Sequence, residues 1–191
     1  GDAGLNFWLN NTDVKEKLRI NTRVYCVRGN HEERPENLGY ETIFDNDVIG
    51  EVYIDPINPE IRYFKDGGVY NIQGHSVLTL GGAYSVDKNY RLEQAGLIAE
   101  TNNPKKSGWF NDEQLTPKEM NEILEKVREK HFDFILSHTC PYEYRPIDLF
   151  LGCIDQSAVD NSMEHFLSAV ASLVDWDVWC FAHYHQENVM Y

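Results

Sequence analysis

The sequence predicts an α/β or α+β fold in which strands and helices are layered around two sheets. Two observations carry this prediction. Short apolar runs alternate with helix-like segments in the second half of the chain, whereas strand-like runs follow one another in the middle. The length of 191 residues suits one domain of ordinary size, and no internal repeat or linker divides it.

The first half of the chain contains one clear strand, Arg23 to Val27. A short helix is predicted before it, from Thr12 to Leu18, with Thr12 as its N-cap. Residues 34 to 68 are punctuated by proline and glycine and are predicted to be irregular, apart from a short strand near a sheet edge at Val48 to Ile54. Such a long excursion either shapes a substrate pocket or forms a surface loop away from it.

The next predicted elements are a hairpin and two helices. The hairpin joins Val69 to Ile72 with Ser76 to Leu80. Thr116-Pro117-Lys118-Glu119 is a capping box with proline at the first helical position, and apolar residues then recur at helical spacing. A second apolar stripe predicts a helix from Met163 to Val174. The apolar runs after these helices predict two strands, Phe132 to Leu136 and Asp177 to Phe181.

Residues that can bind a metal ion lie just past the ends of three predicted strands. They are Asn30 and His31 after the first strand, His138 after the second, and His183 and His185 after the third. Ligands collect beyond the carboxyl ends of strands, where loops converge. With Asp2, these residues form a mixed oxygen and nitrogen set, which suits manganese, iron or zinc better than calcium.

The order Gly-Asp, Gly-Asn-His-Glu, a single His and His-x-His resembles the calcineurin-like metallophosphoesterase superfamily, from Asp2 to His185. The Arg-Gly-Asn-His-Glu pentad is similar to the serine/threonine phosphatase branch. Leu5 and Asn6 stand where that branch has a second Asp and an Arg, and Ala182 replaces the usual Gly. The resemblance implies a four-layer sandwich of two mixed β-sheets flanked by helices.

The resemblance also implies a phosphoric ester hydrolase with two divalent metal ions (manganese, iron or zinc) and a metal-bound hydroxide. Asp2 would bridge the ions, His185 would belong to one of them, and the other would be completed by Asn30, His138 and His183. His31 would not bind metal but would lie beside the phosphate as general acid or charge stabiliser. A mononuclear structural metal site is the alternative.

Several basic residues are candidates for the substrate phosphate. Arg28 and Arg145 are predicted to bind it, although a neighbouring carboxylate could instead neutralise Arg145. Lys88 and Arg91 either meet a phosphate oxygen or belong to a solvated loop. The pentad favours a phosphomonoesterase; a phosphodiesterase acting on nucleotides and a catalytically inactive binding protein with the same fold are the alternatives. Small molecules, nucleotides and phosphoproteins all remain open as substrates.

Composition limits the partners and the compartment. The formal net charge of -14 opposes extended nucleic-acid binding, and no apolar run is long enough to span a membrane. Cys26 and Cys180 lie in apolar runs and are predicted to be buried, and packing is preferred over a catalytic thiol for Cys140. Reduced thiols without a disulfide or zinc pattern predict a cytoplasmic protein.

The beginning of the chain lacks two features that the superfamily places before Gly-Asp, a strand and an Asp-x-His pair. We therefore expect residues 1–191 to be a single metallophosphoesterase domain that is N-terminally incomplete. The second metal ion, with Asp2 and His185 as its protein ligands, is then expected to be weakly held.

Overall fold

The computed structural model describes residues 21–100, 109–150, 152 and 155–185. Asp2 and the predicted helix from Thr12 to Leu18 lie outside the described residues. Within them the chain forms two four-stranded sheets and three α-helices, which confirms the predicted fold class.

The first sheet is built from consecutive strands near the start of the described chain. These are β1 (Val24–Cys26), β2 (Glu41–Asp45), β3 (Gly50–Ile54) and β4 (Ile61–Phe64). Their order is β1-β4-β3-β2, with β1 parallel to β4 and the other two pairs antiparallel. The strand predicted at Val48 to Ile54 is confirmed as β3. The rest of residues 34 to 68 was predicted to be irregular, and that prediction is wrong because β2 and β4 also lie there. Strand β3 lies next to the edge strand β2, so it is near the edge of the sheet, as predicted.

The second sheet contains β5 (Gly68–Ile72), β6 (His75–Leu80), β7 (His131–Ser137) and β8 (Asp175–Cys180), in that order. Strands β5 and β6 form the predicted antiparallel hairpin, whereas β6, β7 and β8 are mutually parallel. Parallel neighbours require crossover connections, and helices provide them. Both sheets therefore mix parallel and antiparallel pairs, as expected.

The helices are α1 (Lys88–Glu100), α2 (Pro117–Val127) and α3 (Ser162–Leu173). Helix α2 begins with the predicted capping box, in which Thr116 Oγ1 accepts from the backbone N–H of Glu119. Helix α1 begins at Lys88, inside a polar segment at residues 85 to 91 for which no helix was predicted. The sequence pattern fails there because this helix has no apolar stripe.

Two apolar clusters hold the layers together. Helices α2 and α3 bury Ile123, Val127 and Leu167 against the second sheet, where they meet Leu78 and Ile135. Between the two sheets lies a separate cluster, formed by Val48, Val52, Phe64, Tyr70 and Val77. Burial of these side chains is the main stabilising contribution, at roughly 1.5–3 kcal/mol for each large side chain.

Candidate metal centre

Three of the predicted metal ligands converge where strands of both sheets end. Asn30 follows β1 of the first sheet, His138 directly follows β7, and His183 follows β8. The side-chain oxygen of Asn30 lies 2.7 Å from His138 Nε2, and the rings of His138 and His183 are 5.0 Å apart at their centroids. Since β7 and β8 are parallel, their carboxyl ends meet at the same edge of the sheet.

A cavity of about 330 Å³ opens beside these residues. Its wall includes five of the predicted site residues, namely Asn30, His31, Arg145, His183 and His185. His138 is 1% exposed and lies behind this wall, in contact with Asn30. The size falls within the range of small-molecule sites in proteins.

The donor atoms fit a transition metal. Burial, followed by the charge of the neighbouring His183, lowers the pKa of His138 well below its usual value. The imidazole is therefore neutral at pH 7, which is the form that binds metal. Asn30 adds a neutral oxygen donor that is 1% exposed. Two imidazoles and an amide oxygen suit zinc, iron or manganese.

The backbone of the His-x-His segment is unusual. His183 and His185 both have positive φ, 68° and 54°, in the left-handed region that non-glycine residues rarely adopt. Between them, Tyr184 is anchored by its hydroxyl, which lies 3.1 Å from Thr139 Oγ1. Backbone strain of this kind costs of order 1–3 kcal/mol per residue and clusters at functional sites. In this arrangement the ring of His183 lies edge-on to the ring of His138.

Two buried residues complete the surroundings of Asn30, and sequence reasoning missed both. Asn30 Nδ2 donates to Ser85 Oγ at 2.8 Å, and Ser85 Oγ donates to Glu113 Oε2 at 2.5 Å. The backbone N–H of Ser85 donates to the other carboxylate oxygen at 3.0 Å. Burial raises the pKa of Glu113, against the hydrogen bonds from Ser85, which lower it. Ser85 belongs to the polar segment at residues 85 to 91, whereas Glu113 lies in no sequence motif.

His31 lies at the cavity wall beside the guanidinium group of Arg91. His31 Nε2 is 3.3 Å from Arg91 Nη2, and Arg91 Nε donates to Asp87 at 2.7 Å. Lys88, the other basic residue of this segment, places its ammonium group 4.5 Å from the centre of the Trp109 ring. Arg91 is therefore the member of this pair that lies next to His31.

The two predicted phosphate-binding arginines are placed differently. Arg28 is 2% exposed, donates twice to Asp66 at 2.9 and 3.0 Å, and donates to the carbonyl of Glu113 at 3.0 Å. It does not belong to the cavity wall. Arg145 does, and it donates to Asn161 Oδ1 at 2.6 Å while its guanidinium stacks 3.5 Å from the centre of the Tyr142 ring.

A second group with metal-binding potential lies at the other end of β7. His131, Asp133 and Asp177 bring one ligand atom each to within 4.8 Å of one another, and His131 and Asp177 are exposed. Seven residues of extended chain, roughly 23 Å, separate His131 from His138. This group is therefore distinct from the predicted centre.

The cysteines divide between burial and exposure. Cys26 and Cys140 are buried, and burial raises the pKa of Cys140 to about 11, which keeps it as a thiol. The prediction that Cys180 is buried is wrong: it is exposed, because β8 lies at the edge of the second sheet in the described part of the chain.

Comparison with known proteins gives one match. A family model described as calcineurin-like phosphoesterase matches residues 5–187. No curated protein and no solved structure matches the chain. Among the helices of the described residues, none is long and apolar enough to cross a membrane.

Proposed function

This chain belongs to the calcineurin-like phosphoesterase family, and on that premise we propose that it is a phosphomonoesterase with a dinuclear metal centre. The family implies metal-dependent hydrolysis of phosphoric esters. The observation that carries the proposal is the convergence of Asn30 and His138, 2.7 Å apart, with His183 adjacent. These three residues would hold one ion, and Asp2 with His185 would hold the other. Manganese, iron and zinc are the ions that fit this donor set.

When bound, the two ions would activate the water that attacks phosphorus and neutralise the phosphoryl oxygens. The side chains around the cavity would perform the remaining tasks. His31 would donate a proton to the departing ester oxygen or stabilise its charge, because it lies at the wall beside Asn30. Arg91 adds a positive charge beside His31, and Arg145 adds one at the cavity wall. Both guanidinium groups favour a bound phosphate anion.

Arg28 would contribute differently from the other arginines. Its guanidinium is engaged by Asp66 and by the carbonyl of Glu113, so we assign it to holding the Glu113 segment beside Ser85. Contact between Arg28 and substrate remains a prediction that this geometry does not support.

A phosphodiesterase is the second candidate, because a cavity of about 330 Å³ has room for a second ester substituent. A panel of phosphomonoesters and phosphodiesters, assayed with manganese, zinc or iron and with a chelator, separates the two. Faster turnover of monoesters supports the proposal, whereas turnover of diesters alone overturns it in favour of the second candidate. Absence of any metal-dependent turnover would indicate a binding protein.

Two variants test the assigned roles. His138→Ala is expected to lose one bound metal ion together with activity, measured by elemental analysis of the folded protein. His31→Ala is expected to keep its metal and to lose ~10²–10⁴-fold in kcat, with a smaller loss for esters that have a very good leaving group. Equal losses for good and poor leaving groups would leave His31 with charge stabilisation only. Unchanged metal content in His138→Ala would remove it from the ligand set.

A further inference from the structure

We propose that Ser85 and Glu113 are positioning residues that orient the side-chain amide of Asn30, so that its oxygen and not its nitrogen faces the metal centre. The inference rests on the proposed function in one respect, namely that Asn30 binds metal. It assigns a role to two residues outside the ligand set, and it makes the direction of a short hydrogen-bond chain a determinant of metal affinity.

The direction of that chain follows from the donors and acceptors present. An ionised carboxylate can only accept, and Glu113 accepts from both the backbone N–H and the hydroxyl of Ser85, at 3.0 and 2.5 Å. The single hydroxyl hydrogen of Ser85 is thereby used. Its oxygen can then only accept, and the partner at 2.8 Å is Asn30 Nδ2. Asn30 must therefore turn Oδ1 towards His138 Nε2, at 2.7 Å.

This orientation matters because the two ends of an amide have nearly the same shape. A rotation of 180° about the last side-chain bond would fit the same space and would present an NH₂ group to the metal, which has no lone pair to offer it. Water could not satisfy the hydrogen-bonding groups of a rotated amide, because Asn30 and Ser85 are each 1% exposed and Glu113 is 4% exposed. In a buried network each donor needs its own acceptor. The carboxylate of Glu113 therefore determines, through Ser85, the orientation of the Asn30 amide.

The fold brings Ser85 and Glu113 together through a close backbone approach. Gly82 has φ of +89°, and a Cβ atom there would lie 2.3 Å from the carbonyl oxygen of Glu113. The N–H of Gly82 donates to the carbonyl of Arg28 at 2.9 Å, and Arg28 Nη1 donates to the carbonyl of Glu113 at 3.0 Å. Arg28 thus ties together the segment that carries Asn30, the segment that carries Ser85 and the segment that carries Glu113.

The test compares manganese affinity in three variants of the whole chain with that of the wild type. Glu113→Gln keeps the shape of the side chain, but its NH₂ group can donate to Ser85 Oγ, which frees the hydroxyl to donate to Asn30 and favours the rotated amide. Ser85→Ala removes the acceptor of Asn30 Nδ2. Ser85→Thr keeps the hydroxyl and serves as the rescue variant. Isothermal titration at pH 7 gives the dissociation constant of the site that His138→Ala removes.

We expect Glu113→Gln and Ser85→Ala to weaken manganese binding at this site by roughly 10–100-fold, as partners of metal ligands typically do. Ser85→Thr is expected to stay within about threefold of the wild type. The matched control is Ser168→Ala, which also removes a serine–carboxylate hydrogen bond, from Ser168 Oγ to Glu143 at 2.6 Å, but outside the cavity wall. It is expected to bind manganese with unchanged affinity.

The outcomes separate the two proposals. If the wild type and Ser168→Ala bind manganese and Glu113→Gln binds it equally well, the positioning role is overturned while the proposed function stands. If the wild type binds no manganese, zinc or iron, both are overturned. Circular dichroism checks each variant for folding, and Glu113→Gln decides the question if Ser85→Ala does not fold. Loss of thermal stability with unchanged affinity would assign the pair a structural role and overturn the inference.

Discussion

At the scale of single residues, two arginines near the candidate metal centre differ in burial and therefore in what their ion pairs contribute. Arg28 is buried and bonded to Asp66, which is itself 16% exposed at its side chain. Arg91 is partly exposed and pairs with Asp87, four residues earlier in the chain. Removal of one member of a buried ion pair leaves the other charge without compensation. In an exposed pair, water solvates the remaining charge.

Arg28→Ala is therefore expected to lower the free energy of unfolding by about 3–5 kcal/mol, because the largely buried carboxylate of Asp66, 16% exposed, would lose its counter-charge. Arg91→Ala is expected to cost no more than about 0.5 kcal/mol and to reduce turnover instead. Urea unfolding of both proteins at pH 7, with kinetics alongside, checks the contrast. An Arg28→Ala protein as stable as the wild type but impaired in turnover would place Arg28 in substrate binding.

The sequence indicates the candidate metal-binding residues better than it indicates the residues around them. Asn30, His138 and His183 each follow an apolar run, and such runs reveal strand ends without any knowledge of the partner strands. Ser85 and Glu113 are joined by hydrogen bonds between two irregular segments, 28 positions apart. Neither periodicity nor a motif encodes such a pairing, so only the three-dimensional structure reveals it.

At the scale of elements, helix α2 shows local and distant interactions meeting at one carboxylate. Glu119 completes the capping box with Thr116, as predicted. Its carboxylate also accepts a hydrogen bond from Arg34 Nη1 at 2.6 Å, and this contact was not predicted. Burial by itself would raise the pKa of Glu119, but the hydrogen bonds from Arg34 and Thr116 outweigh it and lower the pKa to about 2. The helix start is thus joined to the segment that follows the Asn30 motif.

Glu119→Gln is expected to lower the free energy of unfolding by about 1–2 kcal/mol at pH 7, a figure reduced because 36% of this side chain is exposed. The folded-state pKa lies below the unfolded value of 4.5, so the stabilisation is complete above pH 4.5 and declines as the pH falls towards 2. In denaturant titrations, the difference in the free energy of unfolding between the wild type and Glu119→Gln should be smaller at pH 3.5 than at pH 7. A difference independent of pH would refute the role of the charge.

The strands of the first sheet mark the limit of sequence patterns at this scale. Strand β2 is mostly exposed, with Phe44 62% exposed, so it lacks the alternation that identifies a strand. Strand β4 has only four residues, and both of its neighbours in the sheet come from earlier in the chain. Pairing with other strands stabilises these segments, and pairing is a tertiary property.

At the scale of the whole molecule, the candidate metal centre joins the two sheets. Asn30 belongs to the end of the first sheet, whereas His138 and His183 belong to the second. An ion that binds all three stabilises only the state in which the sheets are packed together. The formal net charge of -14 adds a general attraction for cations. Measurements of binding at the candidate metal centre must therefore be corrected for this non-specific binding.

Manganese at 100 times its dissociation constant is expected to stabilise the protein by about 2.7 kcal/mol, which raises Tm by roughly 5–10 °C for a chain of this size. His138→Ala should abolish most of this rise. His131→Ala, which alters only the exposed group at the far end of β7, should preserve it. Scanning calorimetry with manganese and with a chelator measures both. An equal rise in the wild type and in His138→Ala would show that manganese acts elsewhere.

The separation of the ligands along the chain has a consequence for biosynthesis. Asn30 and His138 are 108 positions apart, and His183 comes later still, whereas the strands of the first sheet in the described part of the chain lie between residues 24 and 64. A ribosome therefore finishes the described strands of the first sheet long before it adds His138, the second of the proposed ligands. Closing so long a loop carries an entropic cost that only the packed sheets can offset. An ion bound by these three residues, as proposed, would therefore act at the last stage of folding and would not nucleate it.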